Sequence, residues 1–398
     1  MHNAKVWRDG SIVFLGISLL ILDYLHSIQK IFQDYASFIN ELEEIRDRRT
    51  DHRERRTMRR INAVEDSTNL RNLLKLPKAK KAWGNESIEL GRALSKINPQ
   101  RKVIVAIIDT GMDYDNQNLK KFLSYNSGEM GLDKNGVEKS KNGIDDDMNG
   151  YIDDYRGWDF ADNDPLPEDT NSHGTHIAGI IIDQLDPQKH EIEILPLKFF
   201  KEENSTEQSI KNTASAIRYA VDMGAKIINY SAGGYAFSYE EEEAIKYAKN
   251  QGVLFVAAAG NHSSNNDRRP YYPAGYKQDN ILSIGSMSKE SRKIASSNYG
   301  RSSIDLFAPG ADILSFGLNG KTKSLTGTSQ ATAFVSKTAA LLYSNSIVEM
   351  DYQEIKAQLI KSSDKEEKLL PYSKEGRRLN AYHVLQDNLE SAALGAAR

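Results

Sequence analysis

Several polar residues of this chain stand at the ends of apolar segments, and their types suit nucleophilic catalysis. Ser329 follows Gly-Thr in LTGTSQATAFV and begins an Ala-rich helical pattern. At a helix start its hydroxyl and backbone N–H would lie near the positive end of the helix dipole. A serine hydroxyl needs a base that titrates near neutral pH, which favours histidine, and the imidazole needs a carboxylate to orient it. Asp109, which follows the apolar run VIVAII, is a candidate for that carboxylate, although Gly-Thr-Ser alone is more typical of a simple helix cap.

Two histidines, His173 and His176, are candidates for the base. They lie three residues apart in NSHGTHIAG, so a helix would place both on one face. The spacing alone permits a metal site, an acid–base pair, or one working histidine and one neighbour. Zinc would need a third ligand and an open position, and no HExxH pattern lies nearby. We therefore discount zinc.

The composition narrows the possible partners. The chain has 398 residues, of which 39% are hydrophobic and 27% charged, and its formal net charge is -3. Such a balance is typical of a globular protein and argues against nucleic acid as the main partner. The chain contains no cysteine, which excludes disulfides, thiolate metal sites and cysteine nucleophiles.

Short apolar runs alternate with helical patterns along most of the chain. The runs predict strands at residues 103–108, 192–200, 225–230, 253–258 and 281–284, and the helical patterns cover residues 209–223, 240–250 and 329–343. This alternation predicts an α/β fold, a doubly wound and mostly parallel sheet with helices on both faces. Ligands and catalytic groups collect at the carboxyl ends of the strands of such sheets, where Asp109, Ser231 and Gly260 fall.

Several blocks together resemble the subtilisin-like serine protease family, from about residue 76 to 385. VIVAIIDTGMDYDNQNL resembles the family's aspartate block, NSHGTHIAGII its histidine block and LTGTSQATAFVSKTAALL its serine block. KIINYSAGG and VLFVAAAGN resemble its substrate-strand and oxyanion blocks, and residues 297–315 match the stretch before its serine. The resemblance implies a subtilisin-like fold and a serine endopeptidase that forms an acyl-enzyme.

The resemblance also implies the roles of individual residues. Asp109, His173 and Ser329 would form the catalytic triad, with the first histidine of the HGTH block as the general base. His176 would then pack or hydrogen-bond near the site. The side-chain amide of Asn261 and the backbone N–H of Ser329 would stabilise the oxyanion.

The implied partner is a polypeptide substrate in an extended conformation. Ser231, Ala232 and Gly233 would pair with its backbone as an added strand. Ala258 and Gly260, within residues 257–260, would line the primary specificity pocket, whose small walls favour large apolar or aromatic side chains.

The serine block departs from the family pattern at three positions. Gln330 stands where methionine is common, Ala333 replaces a common proline, and Phe334 replaces a frequent histidine. We expect the helix start to survive, because glutamine and methionine have side chains of similar length.

The segment GIDDDMNGYIDD, residues 143–154, is acidic enough to bind a cation. Asp145, Asp147 and Asn149 match positions 1, 3 and 5 of a calcium loop, the Tyr151 carbonyl matches position 7, and Asp153 matches position 9. Position 12 is an arginine, so the EF-hand pattern is incomplete. We expect a structural Ca²⁺ here and no cofactor for catalysis. A solvated acidic turn is the alternative.

The termini carry different patterns. Residues 1–75 are expected to form an extension: a possible signal, membrane anchor or pro-segment. Its apolar run 12–22 has the length of a signal-peptide core, or it is simply an apolar helix, and the basic run 46–60 is a solvated helix, a linker or a processing site. The catalytic domain is expected at residues 76–390, with a tail at 391–398. A secreted, periplasmic or membrane-anchored protein is favoured over a cytoplasmic one, with any membrane contact confined to residues 12–22.

Two alternatives to a general endopeptidase stay open. One is a non-catalytic relative that binds peptides without hydrolysing them. The other is a protease whose main act is to cut its own N-terminal extension or a single partner.

Overall fold

The computed structural model describes residues 83–386. The expected N-terminal extension 1–75, with its apolar run 12–22 and basic run 46–60, lies outside the described residues. So does the expected tail at residues 391–398.

A nine-stranded sheet and a separate two-stranded hairpin form the β-structure of the described part. The strands are β1 (Val103–Asp109), β2 (Trp158–Asp159), β3 (Ile192–Lys198), β4 (Ile227–Tyr230), β5 (Leu254–Ala258), β6 (Ile281–Met287), β7 (Leu306–Pro309), β8 (Ile313–Phe316), β9 (Thr322–Leu325), β10 (Asp364–Lys365) and β11 (Arg377–Arg378). The order in the central sheet is β10-β11-β7-β6-β5-β4-β1-β3-β2. All neighbouring strands in it run parallel except β10 and β11. The antiparallel hairpin joins β8 and β9.

Helices cover both faces of the sheet. They are α1 (Trp83–Ser87), α2 (Leu90–Leu94), α3 (His173–Ile182), α4 (Pro187–His190), α5 (Thr206–Asp222), α6 (Tyr239–Asn250), α7 (Thr328–Asn345) and α8 (Tyr352–Lys361). Shorter 3₁₀ turns occur at Leu119–Phe122, Ser127–Glu129, Lys139–Lys141, Leu318–Gly320 and Glu367–Tyr372.

The apolar side chains of β1 show why both faces are covered. Val103, Val105 and Ile107 belong to one buried core, whereas Ala106 and Ile108 belong to another. Successive side chains of a strand point to opposite faces, so a continuous apolar run requires packing on both. Helices α3 and α7 contribute to the first core, and α5 and α6 to the second. The predicted doubly wound, mostly parallel sheet is confirmed.

The fold brings three strand ends to one edge. Asp109 ends β1, Tyr230 ends β4 and Ala258 ends β5, and these three strands are neighbours. The polar residues that follow each strand therefore meet at that edge.

Among the helices between residues 83 and 386, none combines the length and apolarity needed to cross a membrane.

Candidate active site

Asp109 and His173 are joined by a hydrogen bond. Asp109 ends β1, His173 begins α3, and Nδ1 of the imidazole lies 2.7 Å from Oδ1 of the carboxylate. The backbone N–H of Thr110 donates to the same oxygen at 2.8 Å. The aspartate side chain is 2% exposed and the histidine side chain 27%. A carboxylate facing Nδ1 keeps the proton of the neutral ring there, so Nε2 is the basic nitrogen.

The charge of Asp109 decides how His173 titrates. Burial alone would lower the pKa of His173, but the negative charge of Asp109 and its hydrogen bond outweigh that effect. The carboxylate of Asp169 adds to the attraction, and the pKa of His173 is raised above its ordinary value. The imidazole is therefore built to accept a proton and to be stabilised as imidazolium.

Asp169, which the sequence analysis did not single out, anchors the start of α3. Its Oδ1 accepts hydrogen bonds at 2.9 Å from the Thr110 hydroxyl and from the backbone N–H groups of Asn171 and Ser172. Its Oδ2 accepts from the backbone and the hydroxyl of Thr175 at 2.9 and 2.6 Å. One buried carboxylate thus joins the end of β1 to the first turn of the histidine helix.

The HGT sequence lets α3 approach the end of β1 closely. The backbone N–H of Gly174 donates to the Thr110 hydroxyl at 3.0 Å. A Cβ at Gly174 would collide with the backbone carbonyl oxygen of Gly111. Glycine is therefore required for His173 to reach Asp109.

Ser329 is the second residue of α7 and is 7% exposed. Its hydroxyl donates to the backbone carbonyl of Ser231 at 2.9 Å, and the Ser231 hydroxyl donates to the carbonyl of Ser329 at 3.1 Å. Ser231 also lines a cavity together with Asp109 and His173. Within residues 83–386, the hydroxyl of Ser329 makes no hydrogen bond to His173.

Asn261 faces the same helix start. Its Oδ1 accepts from the backbone N–H of Thr328 at 2.8 Å and from the Thr328 hydroxyl at 3.1 Å. A backbone N–H can only donate, so it must face the amide oxygen, which leaves Nδ2 free to donate elsewhere. The N–H of Ser329, in the first turn of α7, has no acceptor within its own helix. Two donors therefore stand near the serine hydroxyl.

Asn298, which lies in the SNYG stretch, supports the loop that carries Asn261. Its Oδ1 accepts from the backbone N–H groups of His262 and Ser264 at 2.9 and 3.0 Å, and its Nδ2 donates to the carbonyl of Ala259 at 2.9 Å. This fully buried amide therefore holds the loop at the carboxyl end of β5.

The residues of this arrangement lie within a stretch of the chain that matches a known protein family. The model of the subtilase family matches residues 100–384. The chain belongs to the subtilase family. The matched range contains Asp109, His173, Asn261 and Ser329.

Several characterised proteins are similar to this subtilase. Thermitase of Thermoactinomyces vulgaris is 36% identical over 236 residues, which cover 58% of this chain and 80% of thermitase. A thermophilic serine proteinase of Bacillus sp. (strain AK1) is 31% identical over 287 residues, 71% of this chain and 61% of that protein. The chain thus spans less than two thirds of the Bacillus protein. These names support a serine-type peptidase.

Solved structures show the same fold. The structure of a lanthipeptide protease matches with a TM-score of 0.62 and 23% identity, over 78% of this chain and 96% of that one. A cold adapted subtilisin-like serine proteinase matches with a TM-score of 0.53 and 24% identity, over 73% and 97% of the two chains. At such identities the likeness concerns the fold alone.

His176 has a different environment from His173. Its Nε2 lies 3.0 Å from the carbonyl oxygens of both Ile313 and Lys323, so that nitrogen must carry the proton. Its Nδ1 is buried and has no hydrogen-bond partner among the described residues. Burial lowers the pKa of His176 to about 4, against the effect of the two carbonyls. His176 is therefore a neutral residue that ties α3 to the β8–β9 hairpin of this subtilase.

The segment expected to bind substrate lies beside the cavity, which Ser231, Ala232 and Gly233 help to line. Part of its backbone is already paired, since the Gly233 carbonyl accepts from the Tyr271 hydroxyl at 2.7 Å. Ala258 and Gly260 are buried and do not line that cavity. Their predicted role in the primary specificity pocket stays a prediction.

The three departures in the serine block are accommodated by packing. Gln330, Ala333 and Phe334 are all buried in α7, and the helix is continuous through them. The ring of Phe334 packs so closely on Gly84 of α1 that a Cβ there would collide with it. The expectation that the helix start survives agrees with the structure.

The predicted calcium ligands Asp145, Asp147, Asn149, Tyr151 and Asp153 stay a prediction, and the structure shows how two of their carboxylates are used. The carboxylate of Asp145 accepts from the backbone N–H groups of Asn149 and Gly150, and that of Asp153 accepts from the N–H of Gly143. These two aspartates stabilise turns instead of pointing to one centre. The Asn149 side chain lies beside the group described next, since its Nδ2 donates to Asp154 at 2.8 Å.

The carboxylates that converge are those of Glu129, Asp147 and Asp154, with oxygen atoms within 4.8 Å of one another. Only Asp147 belongs to the predicted set. Glu129 and Asp154 are fully buried, and in the described part of the chain Oε2 of Glu129 has no hydrogen-bond partner. Burial, reinforced by the neighbouring aspartates, raises the pKa of Glu129 against one backbone hydrogen bond.

Proposed function

We propose that this subtilase is a serine endopeptidase that cleaves extended polypeptides through Asp109, His173 and Ser329. The observation that carries the proposal is the hydrogen bond between His173 Nδ1 and Asp109, 2.7 Å long, beside a cavity. It leaves a basic Nε2 on a partly exposed ring, as a general base requires.

The reaction begins with the serine hydroxyl. A rotation about χ1 of Ser329 takes Oγ from the Ser231 carbonyl to Nε2 of His173, which accepts the proton as Oγ attacks the scissile carbonyl. Asp109 stabilises the imidazolium. That imidazolium then protonates the leaving amine, and water hydrolyses the acyl-enzyme with His173 again as the base.

The negative charge that develops on the substrate oxygen needs donors. Nδ2 of Asn261 and the backbone N–H of Ser329 are suited to this, because Thr328 holds the asparagine by its oxygen. In subtilisin itself, removal of the corresponding asparagine costs on the order of 100- to 1,000-fold in kcat.

The variant Asn261→Ala tests this assignment. We expect kcat to fall on the order of 100-fold or more with little change in KM, because the donor acts on the transition state. The measurement is steady-state hydrolysis of an internally quenched peptide by folded protein. An unchanged kcat would remove Asn261 from the mechanism.

Self-processing is a narrower activity that the same site could perform. Intact mass and N-terminal sequencing of the wild type, compared with Ser329→Ala, test it. A shortened wild type beside a full-length variant would show self-cleavage within residues 1–82. A secreted, periplasmic or membrane-anchored location stays a prediction that residues 12–22 motivate.

We also propose that Glu129, Asp147 and Asp154 hold a structural Ca²⁺. Three close carboxylates repel one another, and the unpartnered Oε2 of Glu129 is the kind of hard oxygen ligand that Ca²⁺ prefers. The amides of Asn126 and Asn149 now donate to Asp154 and would have to turn their oxygens inward or move aside. Bound Ca²⁺ would supply charge neutralisation and no catalytic step.

Thermal unfolding tests the calcium proposal. Millimolar Ca²⁺ should raise the Tm of Ser329→Ala protein, and Glu129→Gln should reduce that shift. Asp133→Asn, which removes a partly exposed carboxylate in a turn close to Glu129 in the sequence, is the matched control. No shift with Ca²⁺ in the parent would favour a solvated acidic loop.

A further inference from the structure

The cavity beside His173 adjoins the proposed catalytic residues but is not the place where the scissile carbonyl would lie. It has a volume of about 360 Å³ and is lined by Asp109 and His173, by the segment 231–236 and by side chains from neighbouring elements. Ser329, Asn261 and Ala258 are not part of its lining. A substrate residue whose carbonyl lies between Ser329 and Asn261 would therefore place a neighbouring side chain, and not its own, in this cavity.

Most of the cavity wall is apolar. Phe199, Ile210, Tyr230 and Tyr272 contribute aromatic and aliphatic surface. Such walls suit the hydrocarbon part of a substrate side chain. Polar side chains also line it, and two of them are acids: Asp109, which is hydrogen-bonded to His173, and Glu241.

Glu241 is buried and short of hydrogen-bond donors. It lies in the first turn of α6 and is 3% exposed. Within residues 83–386, its carboxylate receives one hydrogen bond, from the Tyr276 hydroxyl to Oε2 at 2.7 Å. That hydroxyl also lies 3.0 Å from the Ser238 carbonyl, which competes for its single proton.

Burial disfavours the ionised form of Glu241 unless a bound group donates a hydrogen bond to its carboxylate. Burial raises the pKa of Glu241 to about 7, although the Tyr276 hydrogen bond opposes the shift. A buried carboxyl normally has hydrogen bonds to both oxygens, whereas Oε1 here has none from the described residues. A cationic N–H group in the cavity would donate the missing hydrogen bond and would favour the ionised carboxylate over the neutral acid.

We propose that Glu241 makes this cavity selective for a substrate side chain with an apolar stem and a cationic end, lysine or arginine. The stem would pack on Phe199, Ile210 and Tyr272, and the ammonium or guanidinium group would donate to the Glu241 carboxylate. The inference rests on the proposed peptidase function, and it concerns a different pocket from the one predicted to prefer apolar residues.

Kinetics on fluorogenic peptides test the selectivity. A set of internally quenched peptides carries lysine, arginine, norleucine or glutamate at each position in turn around one cleavage site. At one position the wild type should prefer lysine over norleucine in kcat/KM on the order of tenfold or more. Glu241→Gln should remove most of that ratio, and Glu241→Leu should reverse it. Glu240→Gln, which neutralises an exposed neighbour in the same helical turn, should keep it.

A binding experiment separates this inference from the proposed function. Fluorescence anisotropy with Ser329→Ala protein should show the lysine peptide bound tighter than its norleucine counterpart, and Glu241→Gln in that background should equalise them. Peptide cleavage without any basic preference, or a preference that persists in both Glu241 variants, would overturn the inference and leave the peptidase intact. Absence of cleavage with the binding difference present would instead overturn the peptidase and retain the pocket.

Discussion

The hydroxyl of Ser329 donates to the backbone carbonyl of Ser231 at 2.9 Å, and the hydroxyl of Ser231 returns a hydrogen bond to the carbonyl of Ser329 at 3.1 Å. This exchange ties the first turn of α7 to the carboxyl end of β4. It also directs the proton of the proposed nucleophile at a carbonyl group, so a rotation of one side chain must precede its transfer to His173. The nucleophile therefore lies next to the segment expected to bind substrate before substrate arrives.

Replacing Asp169 should damage the site without touching the reacting groups. In Asp169→Asn the amide nitrogen cannot accept from every N–H and hydroxyl that faces it, so buried donors lose their partner. We expect a loss of about 2–4 kcal/mol in the free energy of unfolding and a fall in kcat, because α3 positions His173. Urea denaturation in the Ser329→Ala background and peptide kinetics are the measurements. Glu168→Gln, the adjacent acid, should change neither, and an Asp169→Asn protein with wild-type values would refute this role.

Adding a methyl group at Gly174 should separate α3 from β1. The new Cβ would meet the Gly111 carbonyl, which is backbone and cannot turn aside. We expect Gly174→Ala to cost about 1–3 kcal/mol of stability and most of the activity. Gly91→Ala is the matched control, since nothing lies within 4 Å of its Cβ in α2, and it should be neutral or slightly stabilising. Equal stability of the two variants would contradict the close approach.

The activity should depend on the protonation of His173. General-base catalysis needs the neutral ring, and Asp109 raises its pKa, so kcat/KM should rise with pH through a value above about 6.5. Asp109→Asn should move that rise to lower pH and reduce kcat by on the order of 10⁴-fold, the loss measured for this change in another triad protease. A pH–rate profile of both proteins is the check. A rise at the same pH in the variant would mean that another group controls the rate.

His176 should make the fold sensitive to acid. Its pKa is about 4 in the folded state and about 6.5 when unfolded, so between these values the unfolded chain binds a proton that the folded chain refuses. The contribution of neutral His176 to the free energy of unfolding is therefore complete above pH 6.5. It falls by roughly 3 kcal/mol as the pH is lowered towards 4. In the Ser329→Ala background, His176→Gln should flatten the fall in unfolding free energy over that range. Identical slopes with and without His176 would show that other groups cause it.

The central sheet was predictable because its strands are continuous apolar runs. Strands that are buried on both faces are apolar at nearly every position, so they differ clearly from half-exposed strands, in which polar and apolar residues alternate. Strand β1, Val103–Asp109, agrees closely with the predicted 103–108. Helix starts were less accurate. Helix α5 begins at Thr206, where residue 209 was predicted, because the Ser205 side chain caps the N–H of Gln208.

The cluster of Glu129, Asp147 and Asp154 could not be located from the calcium-loop pattern alone. The calcium-loop pattern identifies ligands by their spacing within one segment. Glu129 lies outside residues 143–154, and only the tertiary fold brings it close to Asp147 and Asp154. Asp145 and Asp153 fit the pattern, but their carboxylates accept hydrogen bonds from nearby backbone N–H groups. Short polar side chains often satisfy their own turns in this way.

The supporting residues of the site were missed for a related reason. Asp169 and Asn298 act through several backbone N–H groups each, and no spacing rule identifies such contacts. The one available signal for Asp169 is an acid shortly before a helix start, which is typical of many ordinary caps. Motifs in the sequence indicated the reacting groups, and the groups that hold them depend on tertiary contacts.

Covalent labelling tests whether Ser329 is a nucleophile that His173 activates. Folded protein is treated with a fluorophosphonate, digested and mapped by mass spectrometry, alongside Ser329→Ala and His173→Ala. We expect one adduct, on Ser329, which is absent from Ser329→Ala and forms much more slowly in His173→Ala. Protein that cleaves peptides while Ser329 remains unlabelled, or a Ser329→Ala variant with wild-type activity, would contradict this expectation.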